Sequence, residues 1–157
     1  MAPHVRVVMP FAIPYGEAIK ALLHWAPDAE VISVAYNDYA YWELFCRLWR
    51  DGQPFIIVEH DIVIRKDTIR SLADCEASWC AYVYHQAPGN PVSGLGCTKF
   101  VPSGALHYTP PEPVWQNVDS VVTGAMRKLG WEVHEHGSWL RHLNPRVAAQ
   151  QESRNTR

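Results

Sequence analysis

Short apolar runs alternate with longer mixed segments along the chain, and the spacing within each segment predicts its element. Val5 to Met9 reads as a first buried strand closed by Pro10. From Pro14 to Trp25 the apolar positions Ala18, Ile19, Leu22 and Leu23 recur at helical spacing, and Pro14 suits a helix start. Glu30 to Ala35 predicts a second strand after the Pro27-Asp28 turn. Asp38 to Arg50 predicts a helix with Tyr41, Leu44, Phe45 and Leu48 on one face, stopped by Asp51-Gly52. Pro54 to Val58 is apolar on both faces, the pattern of a central parallel strand, and ends abruptly in Glu59-His60-Asp61.

Beyond that triplet, Asp67 suits the N-cap of a short helix through Ala73. Trp79 to Tyr84 and Cys97 to Val101 read as strands. Gln86 to Gly96, with three glycines and two prolines, reads as the loop between them. Pro110 to Pro113 is a rigid, extended stretch. Val118 to Leu129 carries Val121, Val122, Ala125 and Leu129 on one helical face, with Gly130 placed to end the helix. Trp131 to His136 reads as the last strand, and the polar chain after Asn144 is expected to fray. The strand–helix–strand–helix–strand start predicts an α/β sheet, mostly parallel at first and mixed toward the C-terminus.

Composition sharpens this picture. The chain has 157 residues, 48% of them hydrophobic and 19% charged, which suits one globular domain with a real core. The formal charge of −2 and the lack of a basic stripe argue against nucleic acid as a partner. No apolar run approaches the ~18 residues of a membrane helix. The N-terminus lacks a signal-peptide pattern, so a cytoplasmic protein is expected. Cys46, Cys75, Cys80 and Cys97 fit no metal-knuckle or redox spacing and read as free thiols, with a Cys75–Cys80 pairing left open.

The candidate chemistry centres on Glu59 and Asp61. Side chains two apart on an extended chain point the same way, so the two carboxylates can converge. A divalent cation relieves their repulsion, and hard ions such as Mn2+ or Mg2+ take oxygen ligands. The same acids also read as a plain polar strand end. His134 and His136 share one side of the last predicted strand and form a possible imidazole metal pair, or else a solvated face. Asp38 and Asp119 both sit where a helix begins, as caps or as functional acids. Gly94 and Gly96 allow a backbone to approach a ligand closely.

The stretch PFIIVEHDIVIRKDTIRSL, residues 54–72, resembles the DXD region of GT-A glycosyltransferases, in which an apolar strand runs into an acidic triplet. Glu59 stands where the first Asp of that triplet is usual. The resemblance covers roughly residues 5–136. It implies a single GT-A domain over residues 1–144, Rossmann-like, with a mostly parallel sheet flanked by helices, and a polar tail at 145–157. It implies an enzyme that moves a sugar from a nucleotide-diphosphate donor, a UDP-sugar being favoured, to a hydroxyl of a glycan, protein or small molecule. By the same resemblance Asp61 holds Mn2+ or Mg2+, with Glu59 on the ribose or the metal. Pro10, Phe11, Ala12 and Ile13 lie near the base, Asp38 lies near the base or ribose, and His60, Gly94 and Gly96 complete the donor side. Asp119 stands for the catalytic base, although Val118 replaces the Glu that often precedes it. His134 or His136 enters the metal shell, and Arg141 and His142 could reach the diphosphate if the tail folds back. So short a chain leaves the acceptor half minimal or supplied by a second subunit or partner. Two alternatives use the same residues: a nucleotidyltransferase, against which the missing glycine-rich basic loop after the first strand counts, and a non-catalytic nucleotide-sugar-binding module.

Overall fold

A computed structural model describes residues 4–87, 90–92, 94–108 and 110–143. The elements are β1 (Arg6–Phe11), α1 (Gly16–Trp25), β2 (Glu30–Ser33), α2 (Ala40–Asp51), β3 (Phe55–Val58), β4 (Ile62–Val63), α3 (Thr68–Asp74), β5 (Trp79–Ala87), β6 (Asn90–Val92), β7 (Cys97–Phe100), α4 (Val118–Lys128) and β8 (His134–His142). The strands form one sheet in the order β2-β1-β3-β7-β5-β8-β4, with β6 paired to β5. The proposed tail at 145–157 lies outside the described residues.

The α/β class stands, but the sheet is mixed rather than mostly parallel. Among the described residues, only β1–β2, β1–β3 and β5–β8 pair in parallel. β7 lies antiparallel between β3 and β5, and β5–β6 and β4–β8 are antiparallel as well. The cause is the connection from β5 to β7, which returns directly through β6 instead of crossing over a helix.

β3 explains why the middle of the sheet is so apolar. Phe55, Ile56, Ile57 and Val58 are all fully buried, and they alternate between two cores. Phe55 and Ile57 pack with α2 and α4, whereas Ile56 and Val58 pack with α1 and α3. Helices therefore cover both faces. The α2 side is aromatic: Phe45 meets Phe55 edge-on at 5.6 Å and Phe100 at 5.2 Å between ring centroids. Each such pair adds about 0.5–1.5 kcal/mol beyond the area it buries. α2 ends as read, with Gly52 in the left-handed region at φ 71°.

Several boundaries differ from the sequence reading. Pro10 does not close β1; the strand runs on to Phe11, with Pro10 opposite Ile32 of β2. A proline is tolerated there because the ladder to β3 has ended at Val8. Within the stretch read as a loop from Gln86 to Gly96, Gln86 and Ala87 extend β5 and Asn90–Val92 form β6, while Gly94 to Gly96 lie outside any strand. Asp67 precedes α3 but makes no side-chain cap; its φ is 67° and its carboxylate pairs with Arg70. The last strand starts and ends later than read, running from His134 to His142. That shift changes which histidine reaches the site. Among the described residues, no helix is long and apolar enough to cross a membrane.

Candidate functional site

The pairings make β1, β2, β3, β5 and β8 run in one direction, so their carboxyl ends gather at one edge of the molecule. β2 and β3 lie on opposite sides of β1. The loops after β1 and β3 therefore diverge, which opens a crevice of the kind that binds ligands in α/β sheets. Here it is a cleft of about 650 Å3, lined by Ala12, Ile13 and Tyr15 after β1, by Val34, Ala35, Asn37 and Asp38 after β2, and by His60 and Asp61 after β3. Trp115 closes one side, its backbone N–H donating to the Asp38 carbonyl at 2.9 Å. His60 ties two of these loops together, because its Nδ1 accepts the Ala12 N–H at 3.0 Å. An accepting Nδ1 requires the ring proton on Nε2. Burial lowers the His60 pKa, against the pull of Asp61, which keeps the ring in that neutral form.

Beside this cleft, and sharing Asp61 and Trp115 with it, is a smaller cavity of about 160 Å3. Five elements deliver its polar walls: Tyr41 from α2, Glu59 and Asp61 after β3, Tyr84 from β5, Asp119 from the first turn of α4, and His142 from the end of β8. The backbone pins them. The Glu59 N–H donates to the Gly96 carbonyl at 2.8 Å, and the Leu143 N–H to the Asp61 carbonyl at 2.6 Å. His142 Nε2 lies 2.9 Å from Asp61 Oδ2, and its ring stacks on Tyr84 at 5.5 Å. Asp119 accepts the Leu95 N–H and, at 3.4 Å, the Thr123 hydroxyl.

Three carboxyl groups in one small cavity cannot all ionise cheaply. Burial, followed by the charges of Asp61 and Asp119, pushes the Glu59 pKa up to about 8. Burial also raises that of Asp119, against the Leu95 and Thr123 hydrogen bonds. Burial, reinforced by Glu59 and Asp119, holds the Tyr41 and Tyr84 hydroxyls protonated. The Tyr41 hydroxyl and His142 Nδ1 are buried without a hydrogen-bond partner among the described residues. A cluster of oxygen donors with excess negative charge fits a hard divalent cation such as Mn2+ or Mg2+.

Of the residues singled out from sequence, Ala12, Asp38, His60 and Asp61 meet in the cleft, and Glu59, Asp61 and Asp119 meet in the cavity. Ile13 lines the cleft as well, whereas Pro10 and Phe11 do not, because β1 extends through them; Tyr15 joins instead. Gly94 and Gly96 lie directly behind Asp119 and Tyr84. A Cβ on Gly94 would overlap the Asp119 carboxylate, and one on Gly96 the Tyr84 ring. Arg141 turns away to pair with Glu17.

His134 and His136 are not part of this site. They open β8, opposite Cys80 and Tyr82, at the amino end of that strand. There they meet Cys75, which follows α3: the ligand atoms of the three side chains all lie within 4.8 Å of one another. It is the other end of β8 that brings a histidine, His142, to Asp61. All four cysteines are free. Tyr41, Tyr84 and Cys75 were not singled out from sequence. Tyr84 carried one usable signal, its place two residues after Tyr82 on an alternating strand; Tyr41 read as core and Cys75 as an inert thiol.

No protein-family model matches the chain, and no curated protein matches it. The fold and the site define its class by themselves: an α/β protein with one mixed sheet and an acidic pocket at the carboxyl ends of its parallel strands.

Proposed function

We propose that the protein is a metal-dependent glycosyltransferase of GT-A type, taking a nucleotide-diphosphate sugar, with a UDP-sugar favoured. One observation carries this reading: Glu59, Asp61 and Asp119 converge on a cavity that opens beside a cleft of nucleotide size, and Asp61 lines both. In this reading the base and ribose occupy the cleft between the Ala12–Tyr15 loop and Asp38. His60 holds the Ala12 backbone in place for them. Asp61 and Glu59 are the residues that would hold the cation, with His142 orienting the Asp61 carboxylate. Bound there, a divalent cation supplies charge that offsets the negative charge of the departing diphosphate.

Asp119 faces the same cavity from the start of α4. Its raised pKa makes it a stronger base than an exposed aspartate, as proton abstraction from a hydroxyl requires. The bond from the anomeric carbon to the diphosphate oxygen breaks, the bond to the acceptor oxygen forms, and the acceptor proton passes to Asp119. Trp115 is exposed at the junction of cleft and cavity and offers a flat apolar face to the sugar.

Calorimetric titration of UDP, GDP and CDP, with and without Mn2+, tests the reading. One nucleotide is expected to bind only with Mn2+, and Asp61→Ala to abolish that binding while leaving the circular dichroism spectrum unchanged. Mn2+-independent binding, full binding by Asp61→Ala, or no binding of any nucleotide to the folded protein overturns it.

A further inference from the structure

The cluster at the amino end of β8 has no role in that reaction, yet it is built from metal-ligating side chains. Two separate elements fix it. His134 and His136 are held by the β5–β8 ladder, opposite Cys80 and Tyr82. The Cys75 N–H donates to the Leu72 carbonyl at 3.3 Å, and the Cys75 carbonyl accepts from Lys99 Nζ. Cys75 Sγ lies 3.2 Å from His134 Nδ1, and the His134 and His136 ring centroids are 5.1 Å apart. The His136 ring is stacked on Tyr82 at 5.3 Å, and its Nε2 is buried without a hydrogen-bond partner among the described residues.

We propose that Cys75, His134 and His136 form a second metal site, one that takes zinc or an ion of similar softness with three protein ligands and one open position. Geometry and donor chemistry both support it. Around a tetrahedral zinc, with bonds of ~2.3 Å to sulfur and ~2.0–2.1 Å to nitrogen, ligand atoms stand roughly 3.3–3.7 Å apart. The three donors, already within 4.8 Å of one another, need only small side-chain rotations to close on an ion. One thiolate and two imidazoles select zinc, cobalt or copper over magnesium or manganese. The site thus differs in kind from the carboxylate pocket. On binding, the Cys75 thiol gives its proton to solvent as the sulfur–metal bond forms. His134 is exposed, so the fourth position is open to water or an outside ligand. The ammonium of Lys99, next to Cys75, favours an anionic ligand there.

Tag-free protein, reduced with a non-chelating phosphine, is titrated with Co2+ and then with Zn2+. The expected result is one equivalent of Co2+ with a thiolate-to-cobalt charge-transfer absorption, displaced by Zn2+ and absent in Cys75→Ser. His134→Ala removes an exposed side chain and so keeps the fold; it is expected to weaken Co2+ binding at least tenfold. Asp61→Ala retains the charge-transfer absorption, which separates this site from the acidic pocket. Absence of that absorption in the wild-type protein, its persistence in Cys75→Ser, or wild-type affinity in His134→Ala overturns the proposal.

Discussion

The two ends of β8 carry opposite chemistry. At its carboxyl end His142 stands beside Asp61 in a cavity of carboxyl and phenol oxygens. At its amino end His134 and His136 stand beside a thiol. The first donor set is hard and anionic, matched to ions that also take phosphate oxygens. The second is soft and nearly neutral, matched to ions that hold thiolate. The difference shows that a histidine on a strand has no fixed chemistry. Which end of the strand it occupies decides its neighbours, because in this sheet the carboxyl ends gather the acids while the amino ends gather the chain leaving α3.

The sharpest way to break this contrast is to remove the base assigned to the acidic end. Asp119→Asn keeps the shape and the Leu95 hydrogen bond but cannot accept a proton. Sugar transfer is expected to fall about 10^2–10^4-fold. Nucleotide binding with Mn2+ and the cobalt absorption of the Cys75 cluster should both stay as in the wild type. Transfer within tenfold of wild type would remove Asp119 from the mechanism without touching the assignment of Asp61.

A smaller effect tests how tightly each end is packed. Gly94 has no room for a Cβ, because Asp119 and the Tyr84 hydroxyl occupy its space. Gly94→Ala is therefore expected to cost about 1–3 kcal/mol in chemical denaturation, as overpacking does, and to reduce transfer by moving Asp119. Gly137, next to His136, has nothing within 4 Å of a built Cβ. Gly137→Ala should change stability by less than ~1 kcal/mol. Equal losses in the two variants would mean that the acidic pocket relaxes freely and that Gly94 does not hold Asp119.

The sequence was legible where a local pattern carried the information. β3 announced itself because burial on both faces leaves a run with no polar position, and all four of its residues are buried. Glu59 and Asp61 do converge, but through a turn rather than strand alternation, since β3 ends at Val58 and the Ile62 N–H donates to the Glu59 carbonyl; Asp38 and His60 reach the adjoining cleft. What failed depended on distant partners. Nothing local says that β7 enters antiparallel between β3 and β5, since that follows from the short return through β6. β8 was read too early because Gly137 interrupts its pattern; its pairing with β5 and β4 carries it on to His142. With the strand placed too early, His134 and His136 stood in for His142. Cys75 lies 59 positions from His134, a contact that no periodicity reports.

The finest test uses the charge imbalance itself. With no cation bound, the folded protein holds the Glu59 proton up to about pH 8, whereas in the unfolded chain the group has its ordinary value of 4.5. Below pH 4.5 both states are protonated and the stabilising difference is complete. Between pH 4.5 and 8 the unfolded chain releases a proton that the folded protein keeps, so stability falls as pH rises and the contribution is gone above pH 8. Glu59→Gln cannot titrate. Relative to wild type, its thermal midpoint is expected to be unchanged near pH 4 and raised by a few degrees at pH 8. Mn2+ should reverse the order at pH 8: it stabilises the wild type by about 2.7 kcal/mol at a hundred times its dissociation constant and the variant by less. A midpoint difference that stays constant across this range, or an equal Mn2+ gain in both proteins, would mean that Glu59 neither shares the charge of Asp61 and Asp119 nor helps to hold the cation. The metal would then rest on Asp61 alone.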